Sequence, residues 1–142
     1  MNDLKTIRPF HLAFPVSNLE RTLKWYTEIL GCSVGRQSNN WIDFNLYGHQ
    51  IVGHLADKFN LSNTNNVDGE DVPIRHFGVI LTYNKWGELV TKLKKENVNF
   101  LIKPQIRFKG INGEQKTFFI EDPDGNALEF KAFKNDSNIF DH

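Results

Sequence analysis

The sequence predicts a single α+β domain made of two copies of a β-α-β-β-β unit, and three observations lead there. Two strand-like runs open alike, PFHLAFPV from Pro9 and PIRHFGVIL from Pro73, and each carries a histidine followed two positions later by a small residue, His11 with Ala13 and His76 with Gly78. Those histidines stand 65 residues apart in a chain of 142, close to half its length, which is the signature of an internal duplication. Each opening run then leads into a stretch with helical periodicity and a set of short strand-like runs.

In the first copy the strand at about Pro9 to Val16 precedes SNLERTLKWYTEILG, where Ser17 and Glu20 have capping-box spacing and Leu19, Leu23, Tyr26 and Leu30 recur at helical intervals. Gly31 stops that helix. Strands are expected at Ser33 to Gln37, Asn40 to Leu46 and Gln50 to Leu55, the last two joined by the turn Tyr47-Gly48-His49. The asparagine-rich, aperiodic stretch Asp57 to Val72 reads as a linker, a hinge or a flap. The second copy offers a strand at Ile74 to Thr82, a helix from about Lys85 to Glu96 with Asn84 as N-cap, and a short strand at Asn99 to Ile102. After a connection containing Lys103-Pro104 and Lys109 to Gly113, strands Gln115 to Glu121 and Ala127 to Phe133 are joined by Asp122-Pro123-Asp124-Gly125-Asn126, in which proline presets φ and glycine accepts a positive φ. The modules span about 8–56 and 73–134 of one domain, 1–142, and the polar tail Asn135 to His142 is expected to fray.

Composition narrows the function classes. The 17 basic and 17 acidic residues cancel without forming blocks, so the footprint of a nucleic-acid or anionic-membrane binder is missing and a small molecule is the expected partner. No apolar run approaches the roughly 20 residues that cross a bilayer. A lone cysteine, Cys32, and no secretory pattern at the N-terminus suggest a reducing, cytoplasmic setting.

Strand alternation puts His11 on one face with Ala13, while Phe10, Leu12 and Phe14 form an opposite face suited to pack on helices. His76 and Gly78 likewise oppose Phe77, Val79 and Leu81, and Glu129 aligns with Ala127 against Leu128 and Phe130. A buried imidazole or carboxylate costs several kcal/mol unless paired or coordinated. One cation solves that problem for His11, His76 and Glu129 together. Two histidines and a carboxylate leave coordination positions open, as in non-haem iron(II) sites, and are compatible with zinc, manganese or nickel. Symmetry between QIVGHL and GNALEF adds His54 as a candidate fourth ligand, while His49 sits at the turn.

Three segments, HLAFPVSNLERTLKWYTEILG, RHFGVIL and FFIEDPDGNALEF, together spanning about Arg8 to Phe133, resemble the vicinal oxygen chelate superfamily, which includes glyoxalase I, extradiol ring-cleaving dioxygenases and the bleomycin and fosfomycin resistance proteins. The resemblance implies two βαβββ modules forming a cupped mixed sheet around one metal held by His11, His76 and Glu129. It implies homodimers as well. The histidine, histidine, glutamate pattern looks most like that of the dioxygenases, and His54 where glyoxalase I commonly has a carboxylate argues against a glutathione-dependent isomerase. The expectation is a divalent-metal enzyme, iron(II) first, acting as a dioxygenase or lyase on a small oxygen-bearing substrate. Gln50, Arg107, Phe108 and Lys109 are expected at the mouth, and no general acid or base is singled out. The alternative is a non-catalytic protein that sequesters a small molecule, as bleomycin resistance proteins do.

Overall fold

Apolar alternation against amphipathic helices produces the same arrangement twice in the computed structural model, which describes residues 7–61 and 63–141. Met1–Thr6, where no secretory pattern was expected, Ser62 in the expected linker and His142 in the expected frayed tail lie outside the described residues. The chain divides into two units, 1–59 and 60–142.

In unit 1 the strands are β1 (His11–Val16), β2 (Ser33–Gln37), β3 (Trp41–Leu46) and β4 (His49–Leu55), in the order β1-β4-β3-β2, with helix α1 (Leu19–Glu28) between β1 and β2. β1 lies parallel to β4, and the other neighbours run antiparallel. Phe14, Val16, Ile42, Phe44 and Ile51 are buried on the face that meets α1, where Tyr26 packs between the rings of Phe14 and Phe44 at 5.2 and 5.0 Å. Phe10, expected on that face, lies ahead of the strand and is 63% exposed. The N-cap of α1 is Asn18, whose Oδ1 accepts from the Arg21 N–H at 2.9 Å. The expected cap, Ser17, instead accepts from the Arg21 guanidinium.

Unit 2 repeats the theme with β7 (His76–Phe77), β8 (Phe100–Arg107), β9 (Gln115–Glu121) and β10 (Ala127–Phe133), ordered β7-β10-β9-β8, and helix α2 (Tyr83–Lys95). Trp86, Leu89, Val90 and Leu93 are the buried stripe of α2. The Trp86 indole N–H donates to the Phe130 carbonyl at 2.9 Å, and Phe118 packs against both rings. Thr82, not Asn84, caps the helix.

Three expectations need correction. The strand expected over Ile74 to Thr82 is reduced to two residues plus an isolated bridge from Ile80 to Lys131, the ladder with β10 being interrupted where Gly78 meets the Glu129 backbone. β8 continues through Pro104 to Arg107, which an edge strand with register shifts tolerates because the missing N–H faces outward. The expected linker contains a hairpin, β5 (Thr64–Val67) with β6 (Glu70–Pro73), turning at Asp68-Gly69 with φ of 50° and 82°. A two-residue turn with both φ positive matches the strand twist, and Asp-Gly is its preferred sequence. Val67 and Val72 lay this hairpin on Ile102 and Phe119. In the tail, Asp136–Asn138 form a single 3-10 turn capped by Asn135.

Candidate metal centre

His76 begins β7 and pairs in register with Ala127, so the next-but-one position on each strand brings Gly78 beside Glu129. The approach is close enough that a Cβ on Gly78 would stand 1.5 Å from the Glu129 carbonyl oxygen, which only glycine permits. Glu129 therefore projects from β10 on the face away from α2, beside His76, Phe119 and Thr117. His76 Nε2 and Glu129 Oε2 are 3.2 Å apart, and Lys131 Nζ lies 3.7 Å from Oε1. The Thr117 hydroxyl donates to Glu129 Oε1 at 2.6 Å, and the His76 ring packs edge-on to Phe119 at 5.0 Å.

The protonation geometry of His76 is fixed by its other nitrogen. Nδ1 lies 2.7 Å from the Pro73 carbonyl. A carbonyl only accepts, so Nδ1 carries the hydrogen and Nε2 faces Glu129, to which it donates when the imidazole is protonated. The hydrogen bond to Glu129 raises the His76 pKa above its ordinary 6.5, helped by the Pro73 carbonyl and the carboxylate charge and opposed by burial and Lys131. For Glu129, burial is the largest single influence and pushes the pKa up, but His76, Thr117 and Lys131 together outweigh it and hold the carboxyl below its ordinary 4.5. Glu129 is thus an ionised, oriented carboxylate.

Unit 1 treats His11 in the same way. Its Nδ1 lies 2.7 Å from Oε1 of Gln50, the residue opposite it in the β1–β4 register, so Nδ1 donates and Nε2 is left as the acceptor. Both duplicated histidines are therefore oriented through Nδ1 by an oxygen, the arrangement by which second partners fix metal-ligating imidazoles. His11 and Gln50 line an open groove of about 640 Å³ together with Asp43, Asn45, Arg36 and His49. Asp43 is buried on this face, with the Arg36 guanidinium 3.8 Å away. His49 accepts from the Phe10 N–H.

His54 stands apart from this arrangement. It is exposed and lies opposite Pro15 and Trp41, four residues along β4 from Gln50, about 13 Å at ~3.3 Å per residue. Matching the two parallel pairs residue by residue makes Val52 the counterpart of Glu129 and Lys131 the counterpart of His54. The resemblance of QIVGHL to GNALEF is two residues out of register. Within either unit, no three histidine, cysteine or acidic side chains among the described residues group closely enough to hold an ion by themselves.

The donor chemistry fits a divalent ion. Two ligand atoms each ~2.1 Å from one ion lie roughly 3.0–3.4 Å apart at ordinary coordination angles, and the Nε2 to Oε2 separation is 3.2 Å. Sequence reasoning missed Thr117 and the Pro73 carbonyl, since only strand register puts Thr117 opposite Lys131 and beside Glu129. The Asp68-Gly69 turn was readable as a hairpin signal.

The glyoxalase/bleomycin resistance protein/dioxygenase superfamily model matches residues 8–130. The chain belongs to that superfamily. Among solved structures it is similar to a glyoxalase/bleomycin resistance protein/dioxygenase from Alicyclobacillus acidocaldarius, at 32% identity and a TM-score of 0.78 over 93% of this chain and 96% of that one. It also shares its fold with the fosfomycin resistance protein FosX from Listeria monocytogenes, 16% identical with a TM-score of 0.67 over 91% and 95%. An integron cassette protein from V. cholerae has the same fold at 21% identity and a TM-score of 0.62, over 89% and 94%. No curated protein sequence matches. This superfamily membership agrees with the resemblance read from the strand-histidine and FFIEDPDGNALEF motifs. Among the described residues no helix is long and apolar enough to cross a membrane.

Proposed function

We propose that this superfamily member is a divalent-metal-dependent enzyme acting on a small oxygen-bearing substrate, with His11, His76 and Glu129 as the metal ligands. The observation that supports this most directly is the shared orientation of the duplicated histidines, each with Nδ1 spent on an oxygen, which turns Nε2 of His76 toward Glu129 and leaves Nε2 of His11 as a donor atom. Two imidazoles and a carboxylate favour iron(II), with zinc, manganese and nickel as competitors, and bring the donor set nearest to that of a ring-cleaving dioxygenase. When bound, the ion would supply Lewis acidity toward neighbouring oxygens of the substrate and, as iron(II), the redox chemistry of dioxygen.

The chain's own residues have separable tasks in this reading. Pro73 and Gln50 hold the imidazole tautomers, and Thr117 and Lys131 keep Glu129 ionised and aimed. Phe119 packs edge-on against the His76 ring and limits its rotation. The groove beside His11 receives the substrate. The protein acts as a cytoplasmic homodimer in this reading, consistent with a single cysteine, Cys32, that is buried, and with sheets whose own helices cover one face each.

Elemental analysis of anaerobically purified protein tests the site. One ion per chain in the wild type and its loss in His76→Ala is the expected result; equal metal content in both would reject the assignment. A protein that ligands stabilise against unfolding yet that turns none over would move the reading to sequestration.

A further inference from the structure

Arg107 ends β8 on the sheet face that carries Glu129, in register with Gln115, while Glu129 is in register with Phe119 four residues further along β9. The two rows are thus about 13 Å apart at ~3.3 Å per residue. The Arg107 side chain is only 15% exposed, yet it is poorly satisfied. Its Nη1 faces Asp68 Oδ2 at 3.6 Å, and its Nε is shielded from solvent with no hydrogen-bond partner among the described residues. A guanidinium removed from water is ordinarily matched by an oxyanion at about 2.7–2.9 Å, often through two parallel hydrogen bonds.

Asp68 is a weak match for that requirement. It sits at the tip of the β5–β6 hairpin with a side chain 64% exposed, and the hairpin beneath it rests on Ile102 and Phe119 through Val67 and Val72. Phe119 in turn touches His76. One long ion pair and a small apolar contact therefore hold a strap over the strands next to the His76–Glu129 pair. With its carboxylate largely in solvent and a single contact at 3.6 Å, Asp68 holds the guanidinium loosely, so a better-fitting oxyanion can take its place.

We propose that Arg107 is the receptor for an oxyanion, a carboxylate or a phosphate-like group, on the small molecule this protein takes, and that Asp68 occupies it until that anion arrives. Displacing Asp68 releases the hairpin tip, so the anion opens the strap as it binds. The anion receptor stands on the Arg107 geometry alone; placing the rest of the ligand at the metal site rests on the function proposed above.

Inorganic phosphate is a sufficient probe, added to the full-length, chelator-treated protein while hydrogen exchange is followed at residues 64–73. Exchange there should rise saturably with phosphate. Asp68→Asn should raise basal exchange and tighten phosphate binding about threefold, since the removed competitor is a largely exposed carboxylate. Arg107→Gln should abolish the saturable response, and Arg107→Lys, which keeps the charge without the planar fork, should weaken it about tenfold. Saturable binding that survives Arg107→Gln would mean an adventitious ion only, and unchanged or weaker binding in Asp68→Asn would overturn the displacement. A wild type whose hairpin exchange ignores phosphate would do the same. In His76→Ala the phosphate response should persist whatever happens to the metal, so this result and the metal assignment fail separately.

Discussion

At the scale of single residues, the site depends on a glycine as much as on its donors. Gly78 lets β7 approach the Glu129 backbone, and any side chain there meets the carbonyl head-on. Gly78→Ala should destabilise the protein by about 3 kcal/mol, the upper range for overpacking, because the obstructing atom is backbone and cannot rotate away. Urea unfolding reads that loss directly. The His76–Glu129 pair adds a pH signature to the metal-free protein. His76, with its pKa raised, contributes fully below its ordinary 6.5 and loses the contribution as pH climbs through its folded value. Glu129, with its pKa lowered, contributes fully above its ordinary 4.5 and loses the contribution as pH falls through its folded value. With chelator present, the melting-temperature gap between wild type and His76→Gln should be widest between pH 4.5 and 6.5 and narrow at higher pH. A gap of about 1 kcal/mol is expected. A gap that grows with alkalinity would contradict the pairing.

At the scale of elements, each helix packs on one face of its sheet, and His11 and Glu129 stand on the other. In unit 2 that packing includes a polar contact, the Trp86 indole N–H on the Phe130 carbonyl, buried one residue from Glu129. Trp86→Phe should cost about 1 kcal/mol through the lost indole hydrogen bond while leaving metal content at the wild-type level. Thermal unfolding and elemental analysis of the same sample separate the two effects. The hairpin β5–β6 falls where the sequence reading expected a linker. Its strands are polar, TNNV and EDVP, without the alternation that marks a half-buried strand. Its apolar contact with the sheet beneath is made by two valines, so composition favoured a linker although Asp68-Gly69 encoded the turn.

At the scale of the whole molecule, balanced charge and the absence of basic blocks fit a protein that handles small molecules. The proposed homodimer predicts a particle of twice the 16.5 kDa chain mass by light scattering. A monomer at micromolar concentration would count against it. Hairpin, parallel pair and helix recur in both units with the same strand order, one histidine-bearing edge strand beside the last strand of each. Duplication therefore preserved the scaffold while the side chains diverged, Glu129 in one copy standing where the other has Val52.

What the sequence determined by itself was whatever periodicity and turn chemistry encode locally. The two helices, the strands from Ser33 to Leu55 and from Gln115 to Phe133, the turn at Asp122 to Asn126, and the faces of His11, His76 and Glu129 all follow from spacing that neighbours in the chain enforce. The FFIEDPDGNALEF segment was enough to point to the superfamily. Tertiary structure alone decided the registers, because strand pairing joins residues far apart in sequence and a shift of two leaves the inward face unchanged while moving every partner. That freedom is why His54 looked equivalent to Glu129 until pairing set it opposite Pro15. It is also why Thr117, Gln50 and Pro73 emerged as the groups that orient the donors only once the strands were side by side.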